Sequence, residues 1–244
     1  PSVYNFEMLS HQSNLFRHIR TRNRFSATSV DQLPHHLVSL WLFGHKLMFP
    51  IPDIDRTDYF LMIGANPVAS NGSIWTVPDV RKRIKSLTER GGQLVVIDPR
   101  RTETAELATE HHAARPGTDA ALLLALIHLL FRDGLIDMGH LSDFVDGIDE
   151  IKKAVVSYTP EWAASHTGMS SEKITQIAHD FSSADRAICY GRMGVSTQRF
   201  GTLCQWAIQV INVLTGNLDR EGGSLFTLPA VDQVLGVSPG GFGR

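Results

Sequence analysis

Three short stretches carry the residues best suited to hold a ligand: GANPVAS (Gly64–Ser70), DPRRTET (Asp98–Thr104) and RPGTD (Arg115–Asp119). In the first, Gly64 permits close backbone approach, Asn66 offers a short amide, and the turn exposes backbone N–H groups suited to phosphate oxygens. In the second, Asp98 stands where a strand emerges, the place of the ribose-binding acid in a dinucleotide-binding unit. Pro99 then ends the strand pairing ahead of two arginines. In the third, Asp119 lies at the positive end of a long apolar helix. Each stretch also has a plainer use. Asn-Pro and Pro-Gly mark turns, Thr118 and Asp119 can cap a helix, and Asp98 can pair with Arg100 or Arg101 at the surface.

The elements that must position these loops alternate along the chain. YFLMIG (Tyr59–Gly64) and QLVVID (Gln93–Asp98) are short apolar runs that suit strands buried on both faces. Between them DVRKRIKSLTERGG puts Val80, Ile84 and Leu87 on one helical face, with Pro78 to open the helix and glycines to stop it. A short turn of helix is expected over Thr104–Ala108, then a third strand in HHAARP and a long helix in TDAALLLALIHLLFRDG. Three more helices follow, in GIDEIKKAVVSY, TPEWAASHT and SSEKITQIAHDFSSA. RAICYGRMG reads as a fourth strand and TLCQWAIQVINVLTGNLDREGG as a last helix with an acidic turn. Upstream, TRNRFSATSVDQLP reads as a polar loop and HHLVSLWLFG as a helix closed by glycine. Strand and helix in alternation predict a Rossmann-like α/β fold, a parallel sheet with helices on both faces. All three loops then share the carboxyl edge, where such sheets bind ligands.

Composition excludes several other functions. A net charge of -2 gives no electrostatic case for nucleic acid. Two cysteines, Cys189 and Cys204, without CxxC spacing argue against a zinc ribbon or a cluster site in this stretch. The apolar run Ala120–Phe131 is shorter than the ~20 residues that span a bilayer. No GxGxxG follows either strand, which speaks against an ordinary nicotinamide or flavin fold. The pairs His35-His36 and His111-His112 diverge within a helix or strand and make poor joint metal ligands.

Five segments in order, IGANPVAS, VVIDPRRTETA, RPGTDAALLLALIHLL, YGRMGVSTQRFGT and LTGNLDREGG, resemble the central region of the molybdopterin-dependent oxidoreductases. This is the dimethyl sulfoxide reductase family, with formate dehydrogenase and periplasmic nitrate reductase among its members. The resemblance implies molybdenum or tungsten held by two molybdopterin guanine dinucleotides, with two-electron or oxygen-atom transfer. It implies that Gly64, Ala65, Asn66, Pro67 and Ser70 line phosphates and pterin. Asp98, Pro99, Arg100 and Arg101 hold the nucleoside, and Pro116, Gly117, Thr118 and Asp119 complete the guanine site. Met193, Gly194 and Gln198 approach the cofactor. A carboxylate can accept both N1–H and N2–H of guanine, and arginine can stack on a base or bind phosphate.

By the same resemblance, residues 30–225 form the dinucleotide-binding domain, while 1–29 and 226–244 belong to a neighbouring domain. The family's [4Fe–4S] cysteine cluster is expected in polypeptide preceding this stretch. The chain begins at Pro1 and closes in SPGGFGR, and it is expected to be an internal piece, inactive alone, that works with further domains and an unnamed electron partner in the cytoplasm. Two other readings are a thiamine diphosphate enzyme's central domain and a non-catalytic nucleotide-binding module. In the family the protein ligand to the metal lies in the loop entering the α/β domain, here Thr21–His36. That loop has no cysteine, so Ser26, Ser29 and Asp31 are the candidates. Counting from TRN places Asp31 at the ligand position, and an anionic hard oxygen suits a high-valent metal. Capping of the helix near Pro34 is the plainer use of Asp31.

Overall fold

The computed structural model describes residues 14–23 and 25–227 of the chain. Expectations for residues 1–13 and 228–244 lie outside the described residues. A two-residue antiparallel pair joins β1 (Ile51–Pro52) to β6 (Ser224–Leu225). The central sheet contains β2 (Tyr59–Ile63), β3 (Gln93–Ile97), β4 (Glu110–His112) and β5 (Ala187–Gly191). All its pairings are parallel and the order is β4-β3-β2-β5. The chain steps outward from β2 to β4 and then returns to the other side of β2. The strand order therefore reverses between β2 and β5, which makes their carboxyl ends the switch point where open α/β sheets bind ligands.

Both faces of the sheet are covered, as the unbroken apolar runs require. Tyr59, Leu61 and Ile63 of β2 face helices Asp119–Arg132, Ser171–Ser183 and Gly201–Leu214. Phe60 and Met62 face the opposite way, toward Trp75 and the Val80, Ile84 and Leu87 stripe of helix Val80–Glu89. Thr159 and Ser170 cap the helices that follow them by accepting from the amides of Trp162 and Lys173. The outer edge of β5 is not left open. Asn212 accepts from the Cys189 amide and donates to its carbonyl, both at 2.9 Å, and Asn217 accepts from the Ala187 amide at 3.0 Å. These two side chains give the segment VINVLTGN a structural purpose: they pair an edge strand that would otherwise expose unmet backbone groups.

Four local expectations change. The polar loop before Pro34 contains a turn of helix at Thr28–Asp31, and the next helix starts at Leu33. Helix Val80–Glu89 is opened by Asp79 at φ 48°, not by Pro78. Pairing of β4 stops at His112, and the amide of Arg115 turns away to the Thr167 carbonyl at 2.9 Å. Thr118 occupies the cap position of the long helix, but its hydroxyl donates backwards to the Arg115 carbonyl at 2.7 Å and does not cap. Among the described residues no helix is long and apolar enough to cross a membrane.

Candidate functional site

A cleft of about 400 Å³ opens at the switch point. Its walls come from the segments after β2 (Gly64, Ala65, Asn66, Ser70, Ser73), after β3 (Asp98, Arg100, Thr102) and after β5 (Arg192, Met193, Gly194), with Asp31 from the short upstream helix. The β2 and β5 loops meet backbone to backbone. Gly64 has φ +56°, and the Gly194 amide donates to its carbonyl at 2.9 Å. A Cβ on Gly64 would stand 2.7 Å from Val195 N, and one on Gly194 would stand 2.9 Å from the Gly64 Cα. Only glycine fits this crossing, and two glycines leave the cleft floor as bare peptide. Within the described residues no acceptor takes the amides of Ala65 and Asn66.

The loops are stiffened by side chains. Asn66 donates to Glu103 at 2.8 Å and accepts from Thr104 at 2.7 Å, so its amide ties the first loop to the second. Ser70 donates to the Asn66 carbonyl at 3.2 Å. Pro67 is buried at the start of the turn Pro67–Ser70. Asp98 accepts from the Arg100 amide at 2.9 Å, a local turn, and forms no ion pair with Arg100 or Arg101. Arg100 leans instead toward Glu103 at 3.6 Å. The expected surface pairing of Asp98 with the arginines is therefore not made.

Asp119 is 9% exposed, and Gln198 donates to it at 2.6 Å and to the Gly194 carbonyl at 3.0 Å. Burial raises its carboxyl above the usual range against the opposing Gln198 bond, and the negative charge of Asp98 adds to the rise. Asp119 thus feels the Asp98 charge along the carboxyl edge. Among the described residues no donor reaches the buried Gln198 Oε1. Pro99, Arg101, Pro116 and Gly117 are exposed on that edge, and Thr118 is half-buried beside them; none of the five lines the cleft.

Asp31 does not cap a helix, since Gln32 occupies the cap position of helix Leu33–Phe43. Its carboxylate receives a two-pronged ion pair from Arg192, with the Nη2–Oδ2 arm at 3.3 Å. Ser26 donates or accepts with Thr28 in the exposed loop, and Ser29 lines a separate recess. Of the three oxygen-donor candidates, only Asp31 reaches the cleft wall. Arg192 and Ser73 escaped sequence reasoning, although Arg192 directly follows an apolar strand, as Asp98 does.

Behind this wall lies His35. Its Nε2 is 3.3 Å from the Gly191 carbonyl and its Nδ1 is 3.4 Å from Ser196 Oγ. Burial, helped by the Arg192 charge, lowers its pKa from 6.5 to about 3. The folded value lies below the unfolded one, so acid favours the unfolded chain: stability is kept above pH 6.5 and lost as pH falls toward 3. A His35→Gln variant should lose less stability over that interval than wild type, by a few kcal/mol on an order-of-magnitude scale. Thermal unfolding at stepped pH measures it; parallel curves for the two proteins would show that His35 is not the cause.

The sequence matches the molybdopterin oxidoreductase family over residues 6–233. It is 31% identical over 187 residues to the F420-dependent formate dehydrogenase subunit alpha of Methanocaldococcus jannaschii, covering 77% of this chain and 27% of that protein. Formate dehydrogenase H of Escherichia coli is 30% identical, with 77% and 25% covered. The dimethyl sulfoxide/trimethylamine N-oxide reductase of Cereibacter sphaeroides is 27% identical, with 78% and 24% covered. The chain thus spans about a quarter of the length of these relatives. Among solved structures, acetylene hydratase from Pelobacter acetylenicus shares the fold with a TM-score of 0.63 at 24% identity, covering 75% of this chain and 24% of its own.

Proposed function

The chain belongs to the molybdopterin oxidoreductase family, and on that premise we propose that its cleft binds one molybdopterin guanine dinucleotide for two-electron redox or oxygen-atom transfer. The observation that carries this reading is the cleft at the β2–β5 switch point, floored by Gly64 and Gly194 and walled by the Asp98 carboxylate, with Asp119 tied to the Gly194 carbonyl through Gln198. The residues fit such a group. A crossing that any Cβ would fill leaves room for a flat ring system or a pyrophosphate, and the unpaired amides of Ala65 and Asn66 offer donors to anionic oxygens.

Each part of the chain then has a task. The 64–70 loop, its geometry fixed by Asn66, binds phosphate and pterin through backbone donors. Asp98 and Asp119 accept N–H groups of the base, and Gln198 Oε1 is an acceptor still without a donor. Arg100 and the exposed Arg101 stand where a guanidinium can stack on the base or bind phosphate. Met193, 56% exposed, covers the pterin with a soft apolar surface. Asp31 supplies the protein's oxygen ligand to the metal. The bound cofactor supplies a metal that changes oxidation state by two electrons; the residues here hold, orient and shield it. Residues 30–225 are the dinucleotide-binding unit, with 1–29 and 226–244 joining a neighbouring domain. An accompanying [4Fe–4S] centre belongs outside this stretch, whose two cysteines are both buried.

Metal analysis of the full-length protein tests the reading. Molybdenum or tungsten should be present with pterin fluorescence after oxidation, and a folded, active protein lacking both would overturn it. In the same material, Asp31→Ala should remove one oxygen scatterer from the metal's first shell in X-ray absorption; an unchanged shell would remove Asp31 as ligand.

A further inference from the structure

We propose that Arg192 is the positioning residue for the metal's protein ligand: it fixes the Asp31 carboxylate at the cleft wall and keeps a permanent positive charge beside the metal. The inference rests on the ligand role proposed for Asp31.

Arg192 immediately follows β5, and its amide continues the sheet by donating to the Ile63 carbonyl at 3.3 Å. Its backbone position is therefore set by the central sheet. Arg192 is 4% exposed and lines the cleft. A buried guanidinium needs an anionic partner, and among the described residues Asp31 is its only carboxylate. Both terminal nitrogens reach Asp31, and Nη2 also donates to Ser73 Oγ at 2.6 Å. Ser73 itself has φ 55°, a left-handed backbone uncommon for serine, which places its hydroxyl in that turn. Nε has no partner. The planar fork thus uses both of its terminal nitrogens on one carboxylate and one hydroxyl, an arrangement that defines carboxylate orientation in a way a single ammonium cannot.

A simple brace between the Thr28–Asp31 turn and the sheet would use the same contacts, but it predicts only a loss of stability. Positioning predicts changes at the metal itself. A guanidinium is charged at all working pH values, so it favours the reduced, more negative state of a neighbouring centre and raises its potential. Groups that orient or surround ligands tune metal centres in this way.

The test compares Arg192→Met and Arg192→Lys with wild type in the full-length protein purified with its cofactor, all values normalised to metal content. Arg192→Met should shift the midpoint potential downward, since the charge is gone. Arg192→Lys keeps the charge and should keep the potential near wild type, but the metal-edge X-ray absorption should show a disordered oxygen ligand because the fork is lost. A wild-type potential in Arg192→Met, or an undisturbed first shell in Arg192→Lys, overturns the proposal. Where Arg192→Met fails to fold, the Arg192→Lys first shell decides alone. An unchanged shell in Asp31→Ala sinks the ligand reading by itself, so the two failures are told apart.

Discussion

Replacing Gly64 with alanine is expected to destabilise the protein by roughly 2–5 kcal/mol, the sum of a backbone cost and a packing cost. The backbone cost arises at φ +56°, where a Cβ is disfavoured by about 1–2 kcal/mol. The packing cost arises because the new methyl would stand 2.7 Å from Val195 N and 2.9 Å from Gly194 C. These are peptide atoms fixed by the turn after β5, and they cannot rotate aside as a side-chain tip could. Relief requires the β2 and β5 loops to separate, which also reshapes the cleft floor. Gly117→Ala is the matched control: its φ is +81°, yet none of the described residues lies within 4 Å of the added methyl, so only the backbone cost applies. Denaturant midpoints of the two variants separate the contributions. A Gly64→Ala loss no larger than that of Gly117→Ala would show that the crossing tolerates a side chain.

The pair Gly64 and Gly194 also marks the limit of what the sequence could reveal. The apolar runs before Gly64 and Asp98 identified β2 and β3, because strands buried on both faces must be apolar throughout. The helical stripe of Val80, Ile84 and Leu87 was equally legible from its spacing. That Gly194 would lie against Gly64 was not, because it depends on β5 lying beside β2 after a crossover through several helices. The Gln198–Asp119 bond spans 79 positions and the Arg192–Asp31 pair 161, so no local pattern announces either. Arg192 did carry a signal, a charged residue directly after an apolar strand. The rule that singled out Asp98 applies to it unchanged. Thr118 misled for the opposite reason: its type and place fit a cap, but the tight turn at Arg115 offered its hydroxyl a nearer acceptor.

Asp98→Ala is expected to lower the pterin content of the full-length protein, by weakening cofactor binding about 10- to 100-fold for a charge-assisted contact of roughly 1.5–3 kcal/mol. Asp98 leaves β3 at the cleft wall, half-buried, and neither arginine beside it takes up its charge. One oxygen accepts the Arg100 amide, which leaves the carboxylate turned by its own backbone and still able to accept. Across the edge, burial and the Asp98 charge together hold the Asp119 carboxyl above its ordinary range. An Asp119 carboxyl held up by burial and by the Asp98 charge is relieved by a ligand edge carrying N–H donors, and guanine presents two on one side. An Asp98→Asn variant separates charge from shape: it keeps the volume and the local turn but replaces two acceptors with one acceptor and a donor. Fluorescence of oxidised pterin per mole of purified protein gives the occupancy, and the unfolding midpoint shows that the fold is intact. Asn is expected to fall between Ala and wild type. Wild-type occupancy in Asp98→Ala, in a protein as stable as its parent, would remove Asp98 from the nucleoside site.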